Sequence, residues 1–168
     1  MKISIGSDHA GFEQKEQLKA YLAEGGYEVT DRGPANEERV DYPDFALLVA
    51  CDVASGRAER GVLVCGTGIG MTIAANKVAG IRAANITSPE FAALCREHND
   101  ANVICLSGRF VDFVTNKSIL GVFLTTTFGG GRHVARIQKI AVLEQGGVCQ
   151  EVMGTGGVQE GIDRGLRG

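Results

Sequence analysis

Apolar residues along this chain fall into short runs separated by longer stretches of helical spacing. Ile3 and Ile5, then Val62, Leu63 and Val64, then Val103, Ile104 and Leu106 form compact β-rich segments. Strands are predicted at Lys2–Ser7, Tyr27–Thr30, Gly61–Cys65, Ile81–Ile86 and Asn102–Leu106. Between the first two, Phe12, Leu18, Tyr21 and Leu22 recur at helical spacing until Gly25-Gly26 stops the helix. A second helix starts at Pro43, favoured in a first turn, and runs through Val53 to Gly56. Further helices are expected over Met71–Val78, Pro89–Glu97, Val111–Thr127 and His133–Gln145. Strands alternating with helices predict an α/β fold, a Rossmann-like three-layer α/β/α sandwich on a five-stranded parallel sheet.

The chain divides into a domain over 1–145 and a tail over 146–168, which holds eight glycines and little apolar periodicity. At 168 residues and 44% hydrophobic, the sequence can bury one full core. A formal charge of -3 with no cluster of basic and aromatic residues argues against nucleic acid as a partner. Five cysteines without a C-x-x-C pair imply neither a disulfide framework nor a zinc knuckle. With no signal peptide or membrane-spanning run evident, the expected location is the cytoplasm, away from the membrane.

In open α/β sheets ligands bind beyond the carboxyl ends of strands. Inspected as such ends, strand one closes in Gly6-Ser7-Asp8-His9-Ala10-Gly11, strand three in Cys65-Gly66-Thr67-Gly68-Ile69-Gly70, and the helix after strand four in His98-Asn99-Asp100. Alternate glycines let successive N–H groups of the second loop converge on an anion at a helix N-terminus. Such a positive potential also favours the thiolate of a cysteine. Two established uses of such a loop fail at Met71: a dinucleotide fingerprint needs glycine there, and a cysteine-dependent phosphatase loop needs arginine. Asp8 and His9 read equally as a helix cap and a solvated imidazole, and His98-Asn99-Asp100 as a polar helix end. Arg132 and Arg136 share a helix face, which suits a phosphate and equally a solvated basic surface. Cys51, Cys95 and Cys105 sit in apolar surroundings as structural thiols, and Cys149 lies in the tail.

Taken in order, G-S-D-H-A-G at Gly6–Gly11, D-Y-P-D at Asp41–Asp44, C-G-T-G-I-G at Cys65–Gly70, A-A-N-K at Ala74–Lys77, G-I-R-A at Gly80–Ala83, H-N-D-A-N at His98–Asn102 and G-G-R-H at Gly130–His133 resemble one family. It comprises ribose-5-phosphate isomerase B and the galactose-6-phosphate and allose-6-phosphate isomerases. The resemblance implies an aldose–ketose isomerase acting on a phosphorylated sugar, ribose 5-phosphate first and a six-carbon phosphate as the alternative. It further implies Cys65 as base, Thr67 assisting proton movement and His98 as the acid that opens the sugar ring. By the same resemblance Asp8 and Asn99 hold hydroxyls, and His9, Arg132 and Arg136 contact phosphate and substrate. Another branch of the family carries a glutamate base at the position of Ala75, so the alanine here assigns this chain to the cysteine branch. A homodimer with shared sites is implied as well, and the glycine-rich tail is a departure from the pattern.

The chemistry fits these residues. Moving a proton between adjacent carbons passes through an enediolate, and the amides of Gly66, Gly68, Ile69 and Gly70 form a natural oxyanion hole. A metal-assisted hydride shift would need a His and carboxylate cluster, whereas the sequence has three histidines and no carboxylate cluster beside the cysteine loop. Neither a cofactor nor a metal is therefore expected. Two rivals differ in class: a nicotinamide-dependent dehydrogenase, and a catalytically silent sugar-phosphate-binding module.

Overall fold

The computed structural model describes residues 1–145 and divides the chain into two units, Met1–His133 and Val134–Gly168. The predicted tail and Cys149 lie outside the described residues. In the first unit the strands are β1 (Lys2–Ser7), β2 (Glu28–Asp31), β3 (Arg60–Cys65), β4 (Ala83–Asn85) and β5 (Val103–Ser107). They form one sheet in the order β2-β1-β3-β5-β4, with every pairing parallel. The helices of this unit are α1 (Phe12–Glu24), α2 (Tyr42–Ala54), α3 (Ile69–Ala75), α4 (Pro89–Asn99) and α5 (Phe113–Thr125). The expected α/β/α sandwich is the fold observed.

Strand side chains alternate between two cores, as the period of two requires. Ile3, Ile5, Val62, Val64, Ile104 and Leu106 face one side, against Leu18 of α1, Ala92 of α4 and Phe123 of α5. Leu63, Cys65, Val103 and Cys105 face the other, against Val49 of α2 and Met71 of α3. Because both faces of β3 and β5 are covered, these two strands read in the sequence as unbroken apolar runs.

Element ends moved for local reasons. β4 is three residues long where six were expected, because it is an edge strand flanked by side-chain bonds. The N–H groups of Arg82 and Ala83 donate to Oδ1 of Asn102 and Asn76 at 2.8 Å each, outside the ladder. α3 begins at Ile69, earlier than predicted, since Gly68 turns straight into it with φ +80. α5 starts at Phe113, capped by Asp112, whose Oδ1 accepts from Thr115 N at 2.9 Å. The sixth helix, α6, runs from Arg132 to Glu144.

One buried polar knot ties the sheet to α2. Asp52 is 1% exposed and accepts from Ser4 Oγ at 2.7 Å, Arg32 Nε at 2.6 Å and Arg57 Nε at 2.9 Å. The Arg32 guanidinium leads in holding this carboxyl down at about 2, with Ser4 and Arg57 adding to it. Its folded pKa lies below the unfolded value, so its stabilisation is complete above about pH 4 and is lost as pH falls towards 2. Asp52→Ala should therefore cost about 3 kcal/mol at neutral pH by removing the partner of two guanidiniums and a buried hydroxyl. Denaturant titrations at pH 7 and pH 2.5 check this, since the gap between variant and wild type should shrink at the lower pH.

Candidate active site

Three adjacent strands bring their carboxyl ends together. Ser7 of β1 is in register with Val64 of β3, and Cys65 of β3 with Ser107 of β5. The loops that follow therefore share one rim: Asp8–Gly11 after β1, Gly66–Gly68 after β3, and Gly108–Val111 after β5. Gly108 N donates to Cys65 O at 2.8 Å and Arg109 N to Gly66 O at 3.2 Å, fastening the last two together.

Cys65 ends β3 at 5% exposure, and its Sγ accepts the N–H of Gly68 at 3.1 Å. That N–H is a backbone donor aimed at the sulfur from the glycine loop. The turn depends on glycine, because a Cβ on Gly68 would strike the Asn85 side chain and its φ is left-handed. Thr67 is exposed on the same turn, with Oγ1 accepting from Ile69 N at 3.3 Å. Gly70 opens α3 beneath the Tyr42 ring, which a Cβ would meet at 2.8 Å. The remaining buried thiols differ: burial pushes Cys105 up to about 12 and Cys95 up to about 11, so both stay protonated at neutral pH.

Asp8 is buried, and its Oδ1 accepts from Ala10 N at 2.9 Å and Gly11 N at 3.0 Å. These bonds close the turn ahead of α1, whose N-cap is Gly11 with no side-chain cap, so Asp8 braces the rim loop and does not cap the helix as the sequence suggested. His9 follows it half-buried, its Nδ1 accepting from Val40 N at 3.5 Å.

Arg109 joins the rim although the sequence reading passed over it. Its side chain lies 3.4 to 3.6 Å from where a Cβ on Gly66 would sit, an exposed guanidinium beside the glycine loop. The only sequence signal was a Gly-Arg pair just after β5. Its value depended on β5 lying next to β3, which the chain order does not reveal.

His98 and Asn99 stand elsewhere. They close α4 just before β5 begins at Val103, whereas the cysteine rim lies beyond Ser107 at the other end of that strand. Four residues of strand separate those ends by about 13 Å. The sequence reading grouped His98-Asn99-Asp100 with the strand carboxyl ends, and the structure corrects this. A helix returning from β4 must deliver its C-terminus to the amino end of the sheet. Around His98 a second cluster forms. Its imidazole stacks on that of His133 with centroids 4.4 Å apart and planes 12° from parallel, and Gly129 N donates to Glu97 O at 3.0 Å. His133 was absent from the residues expected at the site. Arg132, exposed, precedes it at the start of α6, and Arg136 lies one turn further along that helix in the second unit.

Fold and rim together define a Rossmann-like α/β protein whose glycine loop carries a thiol at the rim. The family model described as Ribose/Galactose Isomerase matches residues 3–140, and the chain belongs to that family. Ribose-5-phosphate isomerase B of Escherichia coli is 46% identical over 144 residues, covering 86% of this chain and 97% of that protein. Among solved structures, ribose-5-phosphate isomerase B of Clostridium thermocellum superimposes with a TM-score of 0.86 at 49% identity, covering 86% of this chain and 98% of the other. That of Mycoplasma genitalium with bound ribulose-5-phosphate gives 0.82 at 45% identity, covering 86% and 96%.

Proposed function

We propose that this protein interconverts ribose 5-phosphate and ribulose 5-phosphate by proton transfer through an enediolate, with Cys65 as the base. The observation that carries this reading is the Cys65 sulfur seated on the Gly68 N–H at the head of the glycine loop. The substrate follows from the relatives, which are ribose-5-phosphate isomerases over nearly their whole length.

His98 opens the furanose ring: a proton leaves the C1 hydroxyl, the C1–O4 bond breaks, and O4 takes a proton. Cys65 then removes the proton from C2, and the amides of Gly66, Gly68, Ile69 and Gly70 hold the negative oxygen of the enediolate. Return of a proton to C1 completes the ketose, with Thr67 beside the thiol assisting. Asp8 and Asn99 hold sugar hydroxyls. His9, Arg132 and Arg136 bind the phosphate and substrate, and Arg109 adds a cation at the rim.

The separation of Cys65 from His98 argues for sites shared across a homodimer, each rim facing the His98 cluster of the partner. Leu47 and Leu48 of α2 and Ile69 and Ile73 of α3 are 46 to 58% exposed on one side of the sheet, apolar surface that a second copy would cover. The protein acts in the cytoplasm on this reading. Among the described residues no helix is long and apolar enough to cross a membrane, and Cys51, Cys65, Cys95 and Cys105 are free thiols.

Side-by-side kcat/KM for ribose 5-phosphate, allose 6-phosphate and galactose 6-phosphate tests the substrate, and preference for either hexose phosphate would overturn it. Arg109→Ala should raise KM for ribose 5-phosphate roughly tenfold to a hundredfold, the worth of a charge-assisted hydrogen bond of about 1.5–3 kcal/mol. Inhibition by inorganic phosphate should weaken in parallel. An unchanged KM and phosphate inhibition would remove Arg109 from the site.

A further inference from the structure

Asp100 follows Asn99 in the left-handed region, at φ 46 and ψ 44, and among the described residues it is the single non-glycine residue with positive φ. Glycine would adopt that backbone without strain, so an aspartate there has to return something for its side chain. Both carboxylate oxygens are engaged. Oδ1 accepts from Arg96 Nη1 at 2.8 Å and Oδ2 from Arg82 Nη2 at 2.8 Å.

The two arginines extend the grip to the backbone that carries His98 and Asn99. Arg82 Nε donates to Asn99 O and to Asp100 O, each at 3.0 Å. Arg96 is 2% exposed, donates to Ala101 O, and lies 5.7 Å from the Phe123 ring centroid. Its Nε donates to Thr126 O at 3.3 Å, reaching the segment that leads through Gly129 to His133. At the end of α4 the Asn99 carbonyl is thus held by Arg82, and the Asp100 and Ala101 carbonyls just beyond it by Arg82 and Arg96. The same two side chains bind both strands of chain that bring the imidazoles of His98 and His133 into their stack.

We propose that Asp100, with Arg82 and Arg96, is a positioning clamp for ring opening: it fixes the turn that ends α4, and with it the His98 imidazole, in the orientation that the closed sugar needs, without itself touching substrate. The inference rests on the reading of His98 as ring-opening acid. It concerns a separable step. Ribulose 5-phosphate has its fifth carbon phosphorylated and cannot close a furanose ring, so its enolisation at Cys65 does not call on His98.

The test uses the full chain and two reactions. One is conversion of ribose 5-phosphate; the other is exchange of the carbon-bound C1 proton of ribulose 5-phosphate with heavy water, followed by NMR. Asp100→Asn keeps a residue tolerant of the left-handed backbone but removes the charge, and Arg82→Gln, at a half-exposed position, loosens the clamp from its other side. Each should lower kcat for ribose 5-phosphate roughly tenfold to a hundredfold, the cost of a small misplacement of a reacting group. C1 exchange should stay within about twofold of wild type on the same grounds. Equal losses in both reactions, or no loss in either, would overturn the clamp. His98→Ala serves as the reference. If it shows no difference between the two reactions, the role of His98 fails; if it does while the clamp variants do not, only the clamp fails.

Discussion

Cys65→Ala should abolish isomerisation while ribose 5-phosphate and inorganic phosphate still bind. On the proposed mechanism Cys65 acts on a carbon-bound proton that leaves only in the transition state, so its loss falls on kcat and leaves ground-state affinity largely intact. A positioned general base contributes about a hundredfold to ten-thousandfold in rate. Ala75 occupies the position at which another branch of the family carries a glutamate. The other thiols make a sharp control. Cys105 is wholly buried, and burial pushes its thiol up to about 12, so Cys105→Ala should lower thermal stability and leave kcat near wild type. Exchange of the C1 proton of ribulose 5-phosphate with heavy water should disappear with Cys65 as well, because that exchange passes through the same enediolate. Wild-type turnover by Cys65→Ala would end the assignment of the base.

Co-expression of two crippled chains should restore activity that neither has alone. Cys65→Ala keeps His98, and His98→Ala keeps Cys65. If each site takes its thiol from one protomer and its imidazole from the other, a mixed dimer has one site with both defects and one with neither. Random pairing makes half of all dimers mixed, so recovery should approach about a quarter of wild-type activity in a twofold-symmetric assembly. The expectation follows from the sheet itself. The Cys65 rim lies past the carboxyl ends of β3 and β5, while His98 closes α4 at the amino end of β5. A site contained within one chain would require those groups to meet, and the mixture would then be no more active than its stronger parent. Rate measured across mixing ratios separates the outcomes, since complementation peaks at equal proportions.

Much of this protein was readable from the order of its residues. The apolar runs at Ile3–Ile5, Leu63–Cys65 and Val103–Leu106 marked the central strands, because strands covered on both faces tolerate few polar side chains. Cys65-Gly66-Thr67-Gly68 announced a tight turn with a thiol at its head, because a turn and its donors are local properties of adjacent residues. Asp8 suggested a helix cap, yet its carboxylate closes the turn before α1 and leaves Gly11 as the N-cap.

Tertiary structure alone decided which of these local pieces meet. β5 crosses to lie beside β3, with β4 outside it at the edge, and only that order carries Arg109 to the cysteine loop. His98 looked like part of the same cluster in the sequence, yet the reversal of α4 sends it to the far end of the sheet and into a stack with His133. The identity of a residue and its neighbours sets turns, caps and periodicity over a few positions. Strand order and helix direction arise from burying two separate cores at once, a balance of contacts distant in sequence that no short stretch encodes.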